Sequence, residues 1–165
     1  MTEALAMNVV RPALLALLLV YASMPHAVEQ VVTIEGTVYA DIPCDINRSK
    51  LIEGSFGDVQ TARIDGSYKT ITLDYLLDCR RSATNELRMQ VHADPAFDTT
   101  LLKVPGQANL GIAIKKDGAR LPVNTWVDFD TRKKPMLQAV LVKRANGEIK
   151  AGPFRAGATL VVDYR

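Results

Sequence analysis

The sequence predicts an all-β protein, and two observations support this prediction. After residue 27 the chain consists of short runs in which apolar and polar residues alternate, and no amphipathic helix accompanies them. The pairs Asp117-Gly118 and Asn146-Gly147 follow two of these runs, and both are strong turn signals. This pattern is typical of a β-sandwich or a β-barrel.

Five runs are predicted as strands, each with a continuous apolar face. They are residues 68–79, 86–92, 110–115, 136–143 and 158–164. The run at 136–143 is nearly continuous in apolar residues, which favours a central strand. Residues 115–135 are rich in Lys and Arg and fit no motif, although we expect Trp126 and Phe129 within them to pack rather than to stack on a ligand.

The first 27 residues are predicted to be a secretory signal peptide. Arg11 precedes an apolar run at residues 13–22, which is shorter than the roughly 20 residues that a membrane-spanning helix needs. Ala27 supplies a small residue at which the leader would be cleaved. Cys44 and Cys79 both lie beyond this point, and two cysteines in an exported chain favour a disulfide between them.

The charged residues and the motifs argue against several classes of function. The chain has 20 Lys and Arg against 18 Asp and Glu, a net charge of +2 that is too small to indicate a nucleic-acid partner. His92 is the single histidine after residue 27, it falls on the polar face of its run, and neither a nucleophile elbow nor a Gly-rich phosphate loop is present. We therefore expect no enzymatic activity, no metal site and no cofactor.

A further alternating run lies before the first cysteine, at residues 28–42. Its apolar face consists of Val32, Ile34, Gly36, Val38 and Ala40. A glycine in the middle of a strand weakens it unless another surface must approach closely. We interpret residues 28–41 as an N-terminal arm and residues 42–165 as one domain.

Taken in order, the segments of the chain resemble the fimbrial subunits (pilins) of the chaperone–usher pathway, especially the minor pilins of P-pilus-like fimbriae. The arm resembles the donor strand of that family, with its glycine in mid-strand. The segments that carry the rest of the resemblance are P-C-D-I-N at 43–47, F-G-D-V at 56–59, L-G-I at 110–112 and the C-terminal signature at 152–165. Each motif alone is weak, and their order and spacing carry the resemblance.

The resemblance implies an incomplete immunoglobulin-like β-sandwich that lacks its final strand and is completed by a donor strand in trans. The donor strand would be formed by the apolar face of the arm, from Val32 to Ala40. The edge bound by a chaperone would be formed by Gly152, Phe154, Leu160, Val162, Tyr164 and Arg165.

The resemblance also implies a structural subunit of an adhesive fimbria, a minor or adaptor subunit that polymerises by donor-strand exchange. Its partners would be a periplasmic chaperone, an outer-membrane usher and neighbouring pilin subunits. The chain would be exported to the periplasm and then reside in the cell-surface fimbrium. The alternatives are a glycan-binding tip adhesin, a chain-terminating or anchoring pilin, and a secreted β-sandwich enzyme.

Overall fold

A computed structural model describes residues 30, 32–36 and 43–165 of the chain. The chain divides into two compact units, Met1–Val38 and Tyr39–Arg165. In the first unit, residues 30 and 32–36 form neither helix nor strand and are exposed. The predicted signal peptide and the arm residues Val38 and Ala40 lie outside the described residues.

The second unit is built from short strands joined by turns, with two single 3-10 turns at Asn47–Ser49 and Thr61–Arg63. Ten strands run through residues 43–165. They are β1 (Asp45–Ile46), β2 (Ile71–Leu73), β3 (Leu77–Asp78), β4 (Glu86–His92), β5 (Leu102–Lys103), β6 (Leu110–Lys116), β7 (Ala119–Leu121), β8 (Val127–Asp130), β9 (Leu137–Lys143) and β10 (Thr159–Tyr164). No helix in the described part of the chain is long and apolar enough to cross a membrane.

The strands form two principal sheets and one short ribbon, and every pairing is antiparallel. One sheet has the order β2-β9-β6-β5 with β7 also on β6, the other has the order β10-β4-β8, and β1 pairs with β3. Apolar side chains from both sheets meet in one core, as expected for a sandwich. Its most buried members include Leu87, Met89, Leu121 and Leu141. The all-β prediction is confirmed.

The alternation of the sequence predicts the central strands well. The run at 86–92 is strand β4, and its side chains Leu87, Met89 and Val91 are buried as predicted. The run at 136–143 is β9, which lies between β2 and β6 and is therefore central. His92 lies exposed at the end of β4. Strand β4 keeps its predicted face because Leu87, Met89 and Val91 all pack into the main core.

The predicted run at 68–79 is not one strand. It forms β2 in the five-stranded sheet and β3 in the two-stranded ribbon, with the chain crossing between them at Tyr75. Tyr75 is buried, and its hydroxyl donates a hydrogen bond of 2.7 Å to the carbonyl of Pro135. The alternation continues through the crossing because the inward side chains face the same core, so the sequence pattern contains no sign of the change of partner.

Strand β6 is buried on both faces, whereas its alternation predicted a single apolar face. Ala113 points away from the main core and packs with Leu101 and Val140 in a second apolar cluster. A Cβ atom at Gly111 would lie only 3.0 Å from Leu101 Cδ1, so this position has little room for a side chain. The loop of residues 96–101 covers the outer face of the sheet here.

The basic segment at 115–135, which fitted no motif, belongs to the body of the domain. It contributes β7 and β8, and its side chains Leu121, Val123 and Phe129 are buried in the main core. The expectation that Phe129 packs in the core is confirmed. Trp126 is partly exposed, and the guanidinium carbon of Arg88 lies 4.6 Å from the centroid of its ring.

Candidate functional site: an open groove beside the last strand

The last strand of the chain, β10, is paired on one side only. It forms a six-residue antiparallel ladder with β4, and no strand in residues 43–165 pairs with its other edge. Leu160, Val162 and Tyr164 point inward from β10 but stay half-buried, whereas Leu87 and Met89 on β4 are 0% exposed. The core is therefore incompletely covered along β10, and a free edge of this kind invites another strand.

An open groove of about 460 Å³ lies between the start of β10 and the segment of residues 46–56. Ile46, Leu51, Ile52 and Phe56 line one wall, which we call the irregular wall, and Ala156, Ala158 and Leu160 line the other. The floor comes from both sheets and is formed by Val91, Leu102, Ile112, Ile114, Leu137 and Ala139. The groove thus exposes side chains of the main core to solvent, and an exposed apolar surface of this type indicates a partner.

The irregular wall lies close to β2. Between Leu51 and Gln60 the chain forms no helix or strand, and Leu51 is 85% exposed. A Cβ atom at Gly54 would lie 2.6 Å from Leu73 Cδ2 and 2.9 Å from Ile71 Cδ1. Gly54 therefore allows the backbone to rest directly on two side chains of β2, which any larger residue would displace.

Two aromatic rings pack together beside the groove, and one of them, Phe56, lines it. The centroids of Phe56 and Phe154 are 6.1 Å apart with their planes tilted by 38°, a geometry that suits aromatic contact. Both rings are half-buried against the main core. Gly152 lies nearby with φ of +140°, a backbone conformation that favours glycine. Of the residues predicted for the chaperone-bound edge, Leu160 lines the groove, and Phe154 is next to it through its contact with Phe56.

The other predicted edge residues divide between the two faces of β10. Val162 and Tyr164 continue its inner face, whereas Arg165 lies on the outer side. The Nε atom of Arg165 is 3.3 Å from Asp128, and a guanidinium nitrogen is 3.8 Å from Glu86. Arg165 thus contacts acidic residues of β8 and β4, away from the free edge.

A second ion pair joins β10 to its neighbour strand. A terminal guanidinium nitrogen of Arg88 on β4 donates a hydrogen bond of 2.9 Å to Asp163 on β10. This bond, together with one from the Tyr164 backbone N–H, holds the pKa of Asp163 below its usual value. The outer face of β10 is therefore engaged with β4, while its free edge remains available.

The disulfide is confirmed: Cys44 and Cys79 are bonded, which ties the start of the domain to the end of β3. The described part of the arm, in contrast, exposes its apolar side chains to solvent. Val32 and Ile34 are 78% and 91% exposed. A Cβ atom at Gly36 would meet no atom within 4 Å. The described apolar side chains of the arm are thus largely exposed.

The motifs at 43–47 and 56–59 contain Ile46 and Phe56 of the irregular wall, but no sequence signal indicated its other residues. Leu51, Ile52 and Gly54 lie in a segment without periodicity, and they reach the groove only through the tertiary fold. The small residues of A-G-A at 156–158 precede β10, and their size could have indicated a place where another chain approaches closely.

A two-sheet sandwich with an unpaired last strand and an open core defines an incomplete immunoglobulin-like domain. The family model described as Fimbrial protein matches residues 32–165 of the chain. The chain is 34% identical to the fimbrial-like protein YfcR of Escherichia coli (strain K12) over 134 residues, which cover 78% of this chain and 76% of that protein. It is 31% identical to the fimbrial-like protein YfcQ of the same organism over 164 residues, covering 94% and 99% of the two chains.

Solved structures agree on the fold. The P pilus rod subunit PapA superposes with a TM-score of 0.60 at 18% identity, over 83% of this chain and 100% of that chain. The P pilus adaptor subunit PapF gives a TM-score of 0.55 at 22% identity, over 74% and 96%. The chain therefore belongs to the fimbrial protein family. It is a structural, non-enzymatic subunit of chaperone–usher fimbriae, as its sequence motifs predicted.

Proposed function

We propose that this subunit polymerises by donor-strand exchange, with its open groove accepting the arm of a neighbouring pilin. The single observation that supports this most strongly is the groove itself, which leaves both the core and the β10 edge uncovered. An extended donor strand would cover both at once, because its backbone pairs with the edge and alternate side chains enter the groove. Strand addition to an exposed sheet edge is a general mode of recognition, and the pairing of chaperones with pilins is one established case of it.

The chain also has a suitable donor of its own. Val32, Ile34, Val38 and Ala40 alternate along the arm, and the two that are described are almost fully exposed. Burying about four apolar side chains gains roughly 6–12 kcal/mol, at about 1.5–3 kcal/mol each. Ordering an arm of about ten residues costs a comparable amount, about 1–2 kcal/mol per residue. The direction of exchange therefore depends on how well each donor fits the groove.

The same geometry supports a temporary partner before assembly. A periplasmic chaperone would cover the groove by contact with Gly152, Phe154, Leu160, Val162 and Tyr164, whereas the Arg165 side chain, which contacts Asp128 and Glu86, would lie outside this contact, and an outer-membrane usher would receive the complex. We assign the subunit to a minor or adaptor position in the cell-surface fimbrium, with neighbouring pilins on both sides. The domain boundaries in this proposal are residues 1–27 for the leader, 28–41 for the arm and 42–165 for the pilin domain.

The test is to give the groove a strand of its own. The self-complemented chain consists of residues 28–165, a short Gly/Asn linker and a second copy of residues 28–42, here called the appended strand. We expect it to be a soluble monomer that unfolds cooperatively, whereas residues 28–165 alone should aggregate. The matched control carries Asp at the two appended positions that copy Val32 and Ile34, which should abolish the rescue.

Two results would contradict the proposal. A soluble, cooperatively folded monomer of residues 28–165 without any added strand would show that the groove needs no cover. Aggregation of the self-complemented chain, despite capture of residues 28–165 by a periplasmic pilus chaperone, would instead favour a chain-terminating pilin whose groove accepts no arm.

A further inference from the structure

The irregular wall of the groove is held by a lysine from outside it. The Lys69 ammonium donates hydrogen bonds to the backbone carbonyls of Phe56, at 3.2 Å, and of Asp58. Lys69 is 13 residues from Phe56 in the chain, so this contact joins two separate segments. Hydrogen bonds from a charged donor are stronger than those between neutral groups.

Few hydrogen bonds fix the backbone of residues 52–59, the stretch that carries Ile52 and Phe56 of the irregular wall. Within the described structure, the hydrogen bonds that join residues 52–59 to another part of the chain are the two from Lys69. The bond from the Gly57 N–H to the Ser55 hydroxyl is internal to this stretch. Residues 52–59 therefore lack the ladder that a β-strand would supply, and the two bonds from the Lys69 ammonium connect their backbone to the rest of the domain.

The turn that carries Lys69 is itself well fixed. One carboxylate oxygen of Asp65 accepts hydrogen bonds of 2.8 Å from the Ser67 N–H, the Ser67 hydroxyl and the Tyr68 N–H. These bonds lower the pKa of Asp65 to about 2, because they stabilise the charged carboxylate. Lys69 follows with φ of +54° and leads directly towards β2.

We propose that Lys69 is a positioning residue for the acceptor groove. By joining the start of β2 to the carbonyls of Phe56 and Asp58, it holds the Phe56 ring against Phe154 and keeps this end of the groove at the width that a donor strand needs. A binding site fixed in its bound shape loses less entropy when the ligand enters. This inference rests on the proposed donor-strand function.

The experiment measures how fast a donor strand leaves the groove. Residues 28–165 are refolded with a fluorescent peptide of residues 28–42, and its dissociation is followed in excess unlabelled peptide. Lys69→Met keeps the length of the side chain but removes the charge and the donors, and we expect it to speed dissociation about tenfold. Lys69→Arg retains charged donors and should restore most of the slow rate, and Lys150→Met, on an exposed side chain, should behave as the unaltered chain.

A double-mutant cycle separates positioning of Phe56 from a general loss of stability. Phe56→Ala should also speed dissociation, and adding Lys69→Met to it should have little further effect, because the ring that Lys69 positions is already gone. Equal rates for Lys69→Met and the unaltered chain, or fully additive effects of the two substitutions, would overturn the inference. Failure of the unaltered chain to bind the peptide would instead count against the proposed function.

Discussion

A leucine at Gly36 should affect the subunit as a donor but not as a folded domain. In the self-complemented chain the glycine occurs twice, once in the N-terminal arm and once in the appended strand. A Cβ atom at Gly36 meets nothing within 4 Å, so we expect Gly36→Leu in the N-terminal arm to leave the melting temperature unchanged. The same substitution in the appended strand should overpack the groove at a cost of about 1–3 kcal/mol. For a domain of this size that corresponds to a loss of about 4–12 °C.

Thermal unfolding followed by circular dichroism would measure both changes in otherwise identical molecules. Leu141→Ala provides a positive control, because this side chain is 0% exposed in the main core and its loss should destabilise the chain wherever the arm lies. Glu35→Ala, on the opposite face of the arm, should change little in either copy. If Gly36→Leu in the N-terminal arm lowers the melting temperature as much as in the appended strand, the arm is the domain's own first strand and our interpretation is wrong.

Three further predictions concern the body of the domain, each measured in the self-complemented chain. Burial, and then the negative charge of Asp117, raise the pKa of Tyr75 from 10.0 to about 12, so its stabilising contribution should be complete below pH 10 and be lost as the pH rises towards 12. An ultraviolet titration should show a late-ionising tyrosine that Tyr75→Phe removes, and its persistence in that variant would exclude Tyr75 as the source. Replacing Cys44 and Cys79 together with Ala opens a link across 35 residues and should cost about 4 kcal/mol in urea unfolding, whereas no loss would contradict a stabilising bond. Leu101→Ala should cost about 2–5 kcal/mol because this side chain is 0% exposed beneath its loop, and a loss below about 1 kcal/mol would mean that the loop does not seal the sheet.

The sequence predicted a strand correctly where the same face of that strand is buried along its whole length. Leu87, Met89 and Val91 alternate because β4 has a single core on one side, and the predicted and observed bounds of this strand agree. The disulfide followed from two cysteines in an exported chain. The C-terminal strand was also predicted, with Leu160, Val162 and Tyr164 facing inward.

The groove could not be read from the sequence in the same way. Its two walls come from residues 46–56 and 156–160, which are separated by about a hundred positions and share no periodicity. The role of Lys69 depends on a turn that brings its ammonium close to two backbone carbonyls. Every residue has a backbone carbonyl, so the side chains of the sequence do not indicate this contact. The break at Tyr75 was hidden for a related reason, because the alternation reports which face is buried and not which strand is adjacent.

The bond between Cys44 and Cys79 has a mechanical consequence for a subunit under tension. In a fibre joined through arms and grooves, a pulling force would enter the domain from the arm just before Cys44. The covalent link passes that force directly to Cys79, so the segment between the two cysteines, which are 35 positions apart, cannot be extended even if β1, β2 and β3 detach. At about 3.3–3.6 Å per extended residue, the bond reduces the length to which each subunit can be extended by roughly 120 Å. Reducing the bond should therefore make single-molecule extension curves longer by about that distance per unfolding event.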